Sequence, residues 1–243
     1  MDEQLLTDQL SYYRARAGEY DEWFLRQGRY DRGPEHRAQW VREVAIVETA
    51  LEQTVHGGDV LELACGTGLW TRHLAANNER VVAIDASPEV VAINRERLRA
   101  SNVEYVIADL FSWAPARTFD AVFFSFWLSH VPPGRFDAFW AMVRAALKPE
   151  GRAFFIDSLR EQSSTAIDHD RLDDSGVVRR KLNDGRAFSI VKVFHDPPTL
   201  EHRLFEHGWE GSVRPTGQFF LYGSVTPGKC PGVPFRHVGG PST

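Results

Sequence analysis

The first 55 residues show the periodicity of helices. Apolar side chains recur every three or four positions and predict one helical face: Tyr13, Ala17, Tyr20 and Phe24. A polar loop is predicted over residues 28–36, and a second helix over residues 40–51 that ends near Gly57. We therefore expect a helical N-terminal segment over residues 1–55.

From residue 58 the pattern changes to short apolar strands that alternate with helices. Strands are predicted at 60–63, 81–84, 103–107, 120–126 and 152–157. Helices are predicted between them at 69–76, 88–100 and 136–147, and a turn at 149–151. Uniformly apolar strands that alternate with helices predict a parallel sheet covered on both faces.

Beyond residue 157 the alternation ends. A polar stretch over 159–175 precedes two strands, 177–182 and 187–194, joined by Asn183-Asp184-Gly185. Because Asp-Gly tolerates the positive φ angles of a tight turn, these strands predict an antiparallel hairpin. A helix is predicted at 197–207, followed by strands at 209–214 and 218–225. The last segment, 228–243, is predicted to be a Gly- and Pro-rich tail.

Composition narrows the class of protein. The chain has 243 residues, of which 43% are hydrophobic and 25% charged, as in an ordinary globular domain. Two cysteines, Cys65 and Cys230, exclude a disulfide scaffold. A formal charge of −5 weighs against a nucleic-acid or anionic membrane partner, and no apolar run is long enough to span a bilayer. We expect a cytoplasmic protein, monomeric or homodimeric.

A glycine turn between the first strand and its helix carries the first candidate chemistry. Gly66 and Gly68 allow the backbone to approach a ligand closely, although such a pair alone is typical of a tight turn. Asp85 ends the next strand, where a carboxylate can accept hydrogen bonds from both ribose hydroxyls of an adenosine or simply cap the following helix. A dinucleotide fold needs a third glycine at position 71, which is Thr71.

The negative charge of Glu62, before the turn, suits a cationic ligand better than a pyrophosphate. Together, Glu62, Gly66, Gly68 and Asp85 resemble the class I S-adenosylmethionine (SAM)-dependent methyltransferases of the small-molecule type. In that family the glycine turn cradles the methionine end of the cofactor, and the acid after strand two holds the ribose.

The resemblance extends over residues 58–158. Asp109 ends the third strand, where the family places an Asp on the adenine amino group and an apolar residue against the ring. Phe119-Asp120-Ala121-Val122 opens strand four as in the family, and Leu147-Lys148-Pro149-Glu150-Gly151 matches its L-K-P-G-G turn, with Glu150 for the first glycine. The cofactor-binding residues that the resemblance implies within this core are Glu62, Ala64, Gly66, Thr67, Gly68, Asp85, Ala86, Asp109, Leu110, Phe111, Ser125 and Trp127.

The resemblance also implies a fold. We expect a Rossmann-like, doubly wound α/β domain over residues 1–227, whose mostly parallel seven-stranded sheet has an antiparallel last strand. Its parts would be a helical lid at 1–55 and the SAM-binding core at 58–158. A substrate-side insertion with the hairpin would follow at 159–196, and the last helix and strands at 197–227.

The N-terminal helix resembles the Tyr-rich lid of family members. Tyr13, Ala17, Tyr20 and Asp21 fit that lid pattern, which implies that Tyr13 and Tyr20 contact the cofactor. Arg14 is a candidate for the cofactor carboxylate. The alternative is an amphipathic helix that only packs on the sheet.

The end of strand four faces the reacting centre in a parallel sheet, because ligands bind beyond the carboxyl ends of the strands. His130 follows that strand and is the candidate general base, since imidazole titrates near neutral pH; alternatively it only caps the connection. His169 and His195 are weaker candidates. The N/D-P-P signature of DNA and protein amide methyltransferases is absent, and no metal site is evident.

The sequence therefore predicts a SAM-dependent methyltransferase that acts on an oxygen or nitrogen of a small acceptor. An apolar pocket is suggested by the hairpin together with Trp23, Phe24, Phe126 and Trp127. We therefore expect an aromatic or lipophilic acceptor. Methylation of a tRNA or protein side chain, and a SAM-binding scaffold without turnover, are the alternatives. A nucleophilic role for Cys65 is not favoured, because no base is evident beside it.

Overall fold

A computed structural model describes residues 3–228. The predicted tail at 228–243, with Cys230, therefore lies outside the described residues except for Gly228. The seven helices of the described part span α1 Glu3–Ala15, α2 Tyr20–Phe24, α3 Pro34–Thr54, α4 Thr71–Asn77, α5 Pro88–Leu98, α6 Phe136–Ala146 and α7 Pro197–Glu206. Its nine strands span β1 Asp59–Leu63, β2 Arg80–Asp85, β3 Val103–Ile107, β4 Phe119–Ser125, β5 Leu147–Ser158, β6 Val177–Lys181, β7 Ala187–Val191, β8 Trp209–Pro215 and β9 Phe220–Pro227.

Seven strands form one twisted sheet in the order β3-β2-β1-β4-β5-β9-β8. The first five are parallel, and β9 inserts antiparallel between β5 and β8. The remaining strands, β6 and β7, form a separate antiparallel hairpin. The predicted doubly wound sheet with an antiparallel last strand and a small hairpin is confirmed.

Apolar residues fill both faces of the sheet. One face packs against α6 and α7 around Phe124, Trp140 and Phe155. The other packs against α3 and α4 around Trp40 and Phe123. Because these strands are buried on both sides, they carry continuous apolar runs rather than an alternating pattern, as expected for parallel strands.

Three predicted boundaries were wrong. The first helix ends at Ala15 and continues as a 3₁₀ turn and the short α2, because Gly18 weakens a continuous helix. Helix α3 begins at Pro34, inside the predicted loop, since proline is favoured at the first helical position. The predicted turn at 149–151 lies within β5, which already pairs with β4 at Leu147.

The α1 helix and the hairpin pack on each other beside the carboxyl ends of the strands. Tyr12 of α1 is buried with Val178, Leu182 and Ile190 of the hairpin region. The side chain of Gln9 donates to the His130 carbonyl and accepts from the Val191 amide. These contacts place α1 over the edge of the sheet where the strand ends converge.

Candidate active site

A deep cleft with about 1220 Å³ of open space lies at the carboxyl ends of β1 to β4, under α1. The predicted site residues that line it are Tyr13, Tyr20, Ala64, Gly66, Asp85, Ala86, Asp109, Leu110, Phe111, Ser125, Trp127 and His130. We call this space the cofactor cleft. The structure thus brings most of the predicted residues to one wall, although they come from five separate segments of the chain.

The turn after β1 is held to the end of β2 by Asp85. The amide of Gly66 donates to one Asp85 carboxylate oxygen at 3.0 Å, and the amide of Ser87 donates to the other at 2.9 Å. Burial raises the pKa of Asp85. Gly66 has a φ of 53°, and Ala64 just before it has a φ of 55°, which is rare for a residue with a side chain. Such backbone strain is typical of ligand-binding turns.

Asn94, on α5, supports the same turn from below. Its amide nitrogen donates to the Gly66 carbonyl at 3.2 Å and to the Thr71 hydroxyl at 2.9 Å. A Cβ on Gly68 would lie 2.5 Å from the Asn94 side-chain oxygen. Gly68 is therefore required by packing beneath the turn and does not line the cleft. Sequence reasoning missed Asn94, whose only mark is a polar residue on the buried face of a helix.

Three other predicted residues lie away from the cleft wall. Glu62 is buried behind the turn, burial raises its pKa to about 8, and one of its oxygens has no hydrogen-bond partner in the part of the chain described. The hydroxyl of Thr67 donates to Asp21. Arg14 points outward, 3.9 Å from Glu89, which differs from its expected position over the cofactor carboxylate.

The far end of the cleft has an aromatic wall. Asp109 accepts a hydrogen bond from the Phe111 amide at 2.9 Å. The rings of Phe111 and Trp127 lie 5.4 Å apart, and the guanidinium of Arg135 lies 4.9 Å from the Phe111 ring. A carboxylate beside flat apolar surfaces suits a planar base with an exocyclic amino group.

A second cavity, with about 620 Å³ of open space, lies between α1, the hairpin and residues 158–169. We call it the inner cavity. Its lining includes Tyr12, Arg16, Trp23, Tyr30, His169, Arg180, Lys192 and Phe194. Tyr13, Tyr20, Phe126 and His130 line both spaces, so the two cavities meet at these four residues.

The aromatic residues expected to form one apolar pocket lie in different places. Trp23 lines the inner cavity, Trp127 lines the cofactor cleft, and Phe126 lines both. Phe24 packs in the core against Trp70. The inner cavity also carries phenol hydroxyls and cationic side chains. Sequence reasoning missed these groups, because they come from distant segments.

His130 lies at the meeting point of the two cavities. Its Nδ1 is 2.6 Å from the Val191 carbonyl, which can only accept, so Nδ1 carries the proton. Nε2 therefore accepts the hydrogen bond from the Tyr13 hydroxyl, at 2.7 Å. Burial, with the charge of Lys192, lowers the pKa of His130 to about 3, so the imidazole is neutral at pH 7.

A buried ion pair supports His130 from behind. The ammonium of Lys192 donates to the Ser129 hydroxyl at 2.7 Å and lies 3.5 Å from Asp157. Asp157 also accepts from the Ser129 amide at 2.8 Å. Burial works to raise the pKa of Asp157, but Lys192 and these hydrogen bonds outweigh it and leave that pKa below its usual range.

The other two histidine candidates differ in position. His169 lines the inner cavity, 3.0 Å from Arg180, and burial lowers its pKa to about 3. His195 packs near Phe136, away from both cavities. Within residues 3–228 no group of three His, Cys, Asp or Glu side chains is placed to hold a metal ion, and no helix there is long and apolar enough to cross a membrane.

Comparison with known proteins gives closely related folds. A family model for a methyltransferase domain matches residues 60–151. The structure described as the "DhpI-SAH complex" is 42% identical, with a TM-score of 0.76, and the match covers 94% of this chain and 99% of that one. The "DhpI-SAM-HEP complex" is 41% identical, with a TM-score of 0.77, over 93% and 100% of the two chains.

More distant relatives match in sequence or in fold. The ubiquinone biosynthesis O-methyltransferase of Xanthomonas campestris pv. campestris (strain B100) is 30% identical over 143 residues, which are 56% of this chain and 57% of that protein. The chain thus matches little more than half the length of this curated relative. The Burkholderia thailandensis 1,6-didemethyltoxoflavin-N1-methyltransferase shares the fold at 17% identity and a TM-score of 0.59, over 94% of this chain and 91% of that one.

Proposed function

The chain belongs to the class I SAM-dependent methyltransferases, and from that membership we propose that its two cavities divide the reaction between cofactor and acceptor. The enzyme uses SAM as its cofactor. In our proposal it transfers the methyl group to an oxygen or nitrogen of a small molecule bound in the inner cavity. The observation that carries the proposal is the junction of the two cavities at Tyr13, Tyr20, Phe126 and His130.

The residues of the cofactor cleft fit SAM. Asp85, fixed by two backbone amides, offers its outer lone pairs to the ribose hydroxyls. Asp109 accepts a hydrogen bond from the adenine amino group, and the ring of Phe111 lies beside the adenine ring. Glu62 is buried behind the turn, and its pKa of about 8 leaves it mostly protonated at pH 7, so it supports the turn through Thr71 and does not supply the negative charge expected from the sequence. When bound, SAM supplies an electrophilic methyl group, which the acceptor's lone pair takes while the electrons of the sulfur–carbon bond stay on sulfur.

Tyr13 and His130 remove the proton from the nucleophilic group of the acceptor. The Tyr13 hydroxyl donates to His130, so its oxygen lone pairs face the junction and can accept a proton from the nucleophile. As that proton reaches the Tyr13 oxygen, the Tyr13 proton moves to His130 Nε2. Lys192 and Asp157 keep the Ser129–His130 backbone in place. The proposal keeps His130 as the base, now acting through Tyr13, although burial lowers its pKa to about 3 and makes it a weaker base than a free imidazole.

A small acceptor is favoured because the inner cavity is enclosed by α1 and the hairpin. Its lining places tyrosine hydroxyls and cationic side chains among aromatic rings, and a few placed polar groups in an apolar wall are typical of small-molecule sites. The O-methyltransferase name of the Xanthomonas relative supports the same class of acceptor. Methylation of a tRNA or protein side chain would require this enclosure to open widely.

Two measurements test the assignment. Calorimetry should give binding of SAM and S-adenosylhomocysteine (SAH), with NAD as the negative control, and the affinity should be lost in Asp85→Ala but kept in Asp184→Ala at the exposed hairpin tip. Release of SAH is then measured with phenols, carboxylates, amines, tRNA and a peptide pool. Equal SAH affinity in Asp85→Ala would overturn the cofactor cleft, and methylation confined to tRNA or peptide would overturn the small-molecule acceptor.

A further inference from the structure

The inner cavity carries an unbalanced positive charge. Arg16, just after α1, and Arg180, on β6, both line it. Among residues 3–228, neither forms an ion pair with a carboxylate within 4 Å. The side chain of Arg16 lies over the rings of Tyr12 and Tyr20, at 5.6 and 5.2 Å, and Arg180 donates to the neutral ring of His169.

The neighbouring cations are all compensated, which sets these two apart. Arg29 pairs with Glu19 and Asp168. Arg26 donates to the carbonyls of Ser163 and Ser164, both at 3.0 Å. Lys192 pairs with Asp157. The protein thus satisfies the charges that hold its own structure together and leaves two guanidiniums that face open space.

The two guanidiniums also repel each other. Burial lowers the pKa of Arg180, and the charge of Arg16 adds to that effect. The surrounding phenols do not neutralise them, because burial raises the pKa of Tyr12, Tyr13 and Tyr20, and these side chains are uncharged at pH 7. Holding two like charges together away from bulk water is costly unless an anion joins them.

Hydrogen-bond donors are in surplus at the same place. The hydroxyls of Tyr12, Tyr20 and Tyr30 have no hydrogen-bond partner in the part of the chain that the structure describes, and all three side chains line the cavity. Three phenol donors and two guanidinium forks converge on one space, where Asp and Glu side chains do not line the wall. Arginine forks and hydroxyls match the oxygens of carboxylate and phosphoryl groups.

We propose that Arg16 and Arg180 form a binding site for a compact oxyanion carried by the methyl acceptor, so that the substrates are small molecules with a carboxylate or phosphoryl group. This inference rests on the proposed function, because it describes the acceptor of the same reaction. It differs from the expectation of a lipophilic acceptor, since tyrosine hydroxyls and guanidiniums lie beside the apolar rings of Trp23, Phe126 and Phe194 in the lining.

The test measures anion binding without turnover. The SAH-loaded protein is titrated by calorimetry with inorganic phosphate, with acetate, and with glycerol as the neutral probe. We expect an anion to bind and glycerol not to bind. Affinity should fall about 30-fold or more in Arg16→Gln and in Arg180→Gln, which is the loss of one buried charge-assisted contact. Arg179→Gln, the exposed neighbour on the same strand, is the matched control and should bind the anion normally.

Retained SAH affinity establishes that each variant is folded. If a Gln variant does not fold, Arg16→Lys or Arg180→Lys takes its place, which keeps the charge and removes the guanidinium fork. Stronger binding of phosphate assigns a phosphoryl group, and stronger binding of acetate assigns a carboxylate. The proposal is overturned if the wild type binds neither anion, or if both Gln variants bind as the wild type does. Failure of the wild type to bind SAH would instead refute the proposed function.

A second arm uses turnover. Phenols, alcohols and amines are compared with matched compounds that carry a carboxylate or phosphoryl group, and released SAH is measured. The charged member of a pair should be methylated with the lower KM, and Arg16→Gln should raise that KM by a larger factor than it raises the KM of the neutral member. Equal KM values within every pair would contradict the oxyanion site.

Discussion

Replacing Tyr13 with Phe removes one hydroxyl at the junction of the two cavities and leaves the ring in place. The hydroxyl donates to His130 Nε2 at 2.7 Å, and the other ring nitrogen is already committed to the Val191 carbonyl. The change therefore leaves a buried acceptor without a donor, which costs about 1–3 kcal/mol of unfolding free energy. The melting temperature should fall by about 2–4 °C for each kcal/mol in a chain of this size.

The same change interrupts the proposed path of the proton. Turnover should fall about 100-fold or more, the usual contribution of a positioned acid–base group. SAH affinity should change little, because the Tyr13 ring that faces the cofactor cleft is kept. Tyr222→Phe, on β9, is the matched control, since Tyr222 stacks on Phe154 away from both cavities and should keep full turnover.

A double-mutant cycle decides whether Tyr13 and His130 act as a unit. His130→Gln alone should lower turnover as Tyr13→Phe does. The double variant should be no less active than the poorer single variant, because either single change already interrupts the same proton path. Turnover and SAH binding are measured for all four proteins on one acceptor. Losses that multiply in the double variant would refute the relay.

Three further results are expected. Asp85→Asn should weaken SAH binding about 10- to 100-fold in calorimetry, because charge-assisted hydrogen bonds are worth about 1.5–3 kcal/mol; unchanged affinity would contradict its role. Gly68→Ala should lower the free energy of unfolding in urea by about 2–4 kcal/mol, from positive φ and contact with Asn94, whereas Gly134→Ala, which meets no atom within 4 Å, should be neutral. The pKa of His130 is about 3 in the folded protein against its ordinary value of 6.5, so the unfolded chain binds more protons below pH 6.5. Stability should therefore fall between pH 6.5 and 5 by up to about 1.4 kcal/mol per pH unit from this residue, and this part of the slope should be missing in His130→Gln.

The core of the fold was predictable because its evidence is local. The strand that ends at Leu63, the turn with Gly66 and the acid at Asp85 follow each other closely, and each obeys a rule that neighbouring residues set. Parallel strands place their carboxyl ends at one edge, so these residues converge without further information. The seven-stranded sheet with an antiparallel last strand then followed from the resemblance.

The inner cavity was not predictable for the opposite reason. Arg16 and Arg180 come from segments far apart in the chain, and nothing near either residue indicates that the other will face it. Asn94 and Lys192 likewise act through contacts with distant residues. The helix boundaries that differed, at Ala15 and Pro34, belong to the same N-terminal region that closes the cavity.

The α1 helix serves both cavities with different residues of one rigid element. Leu6, Gln9 and Leu10 face the cofactor cleft, Tyr12 faces the inner cavity, and Tyr13 faces both. Both binding equilibria involve this helix. Thermodynamic reciprocity then requires that whatever factor bound cofactor applies to acceptor affinity, bound acceptor applies the same factor to cofactor affinity.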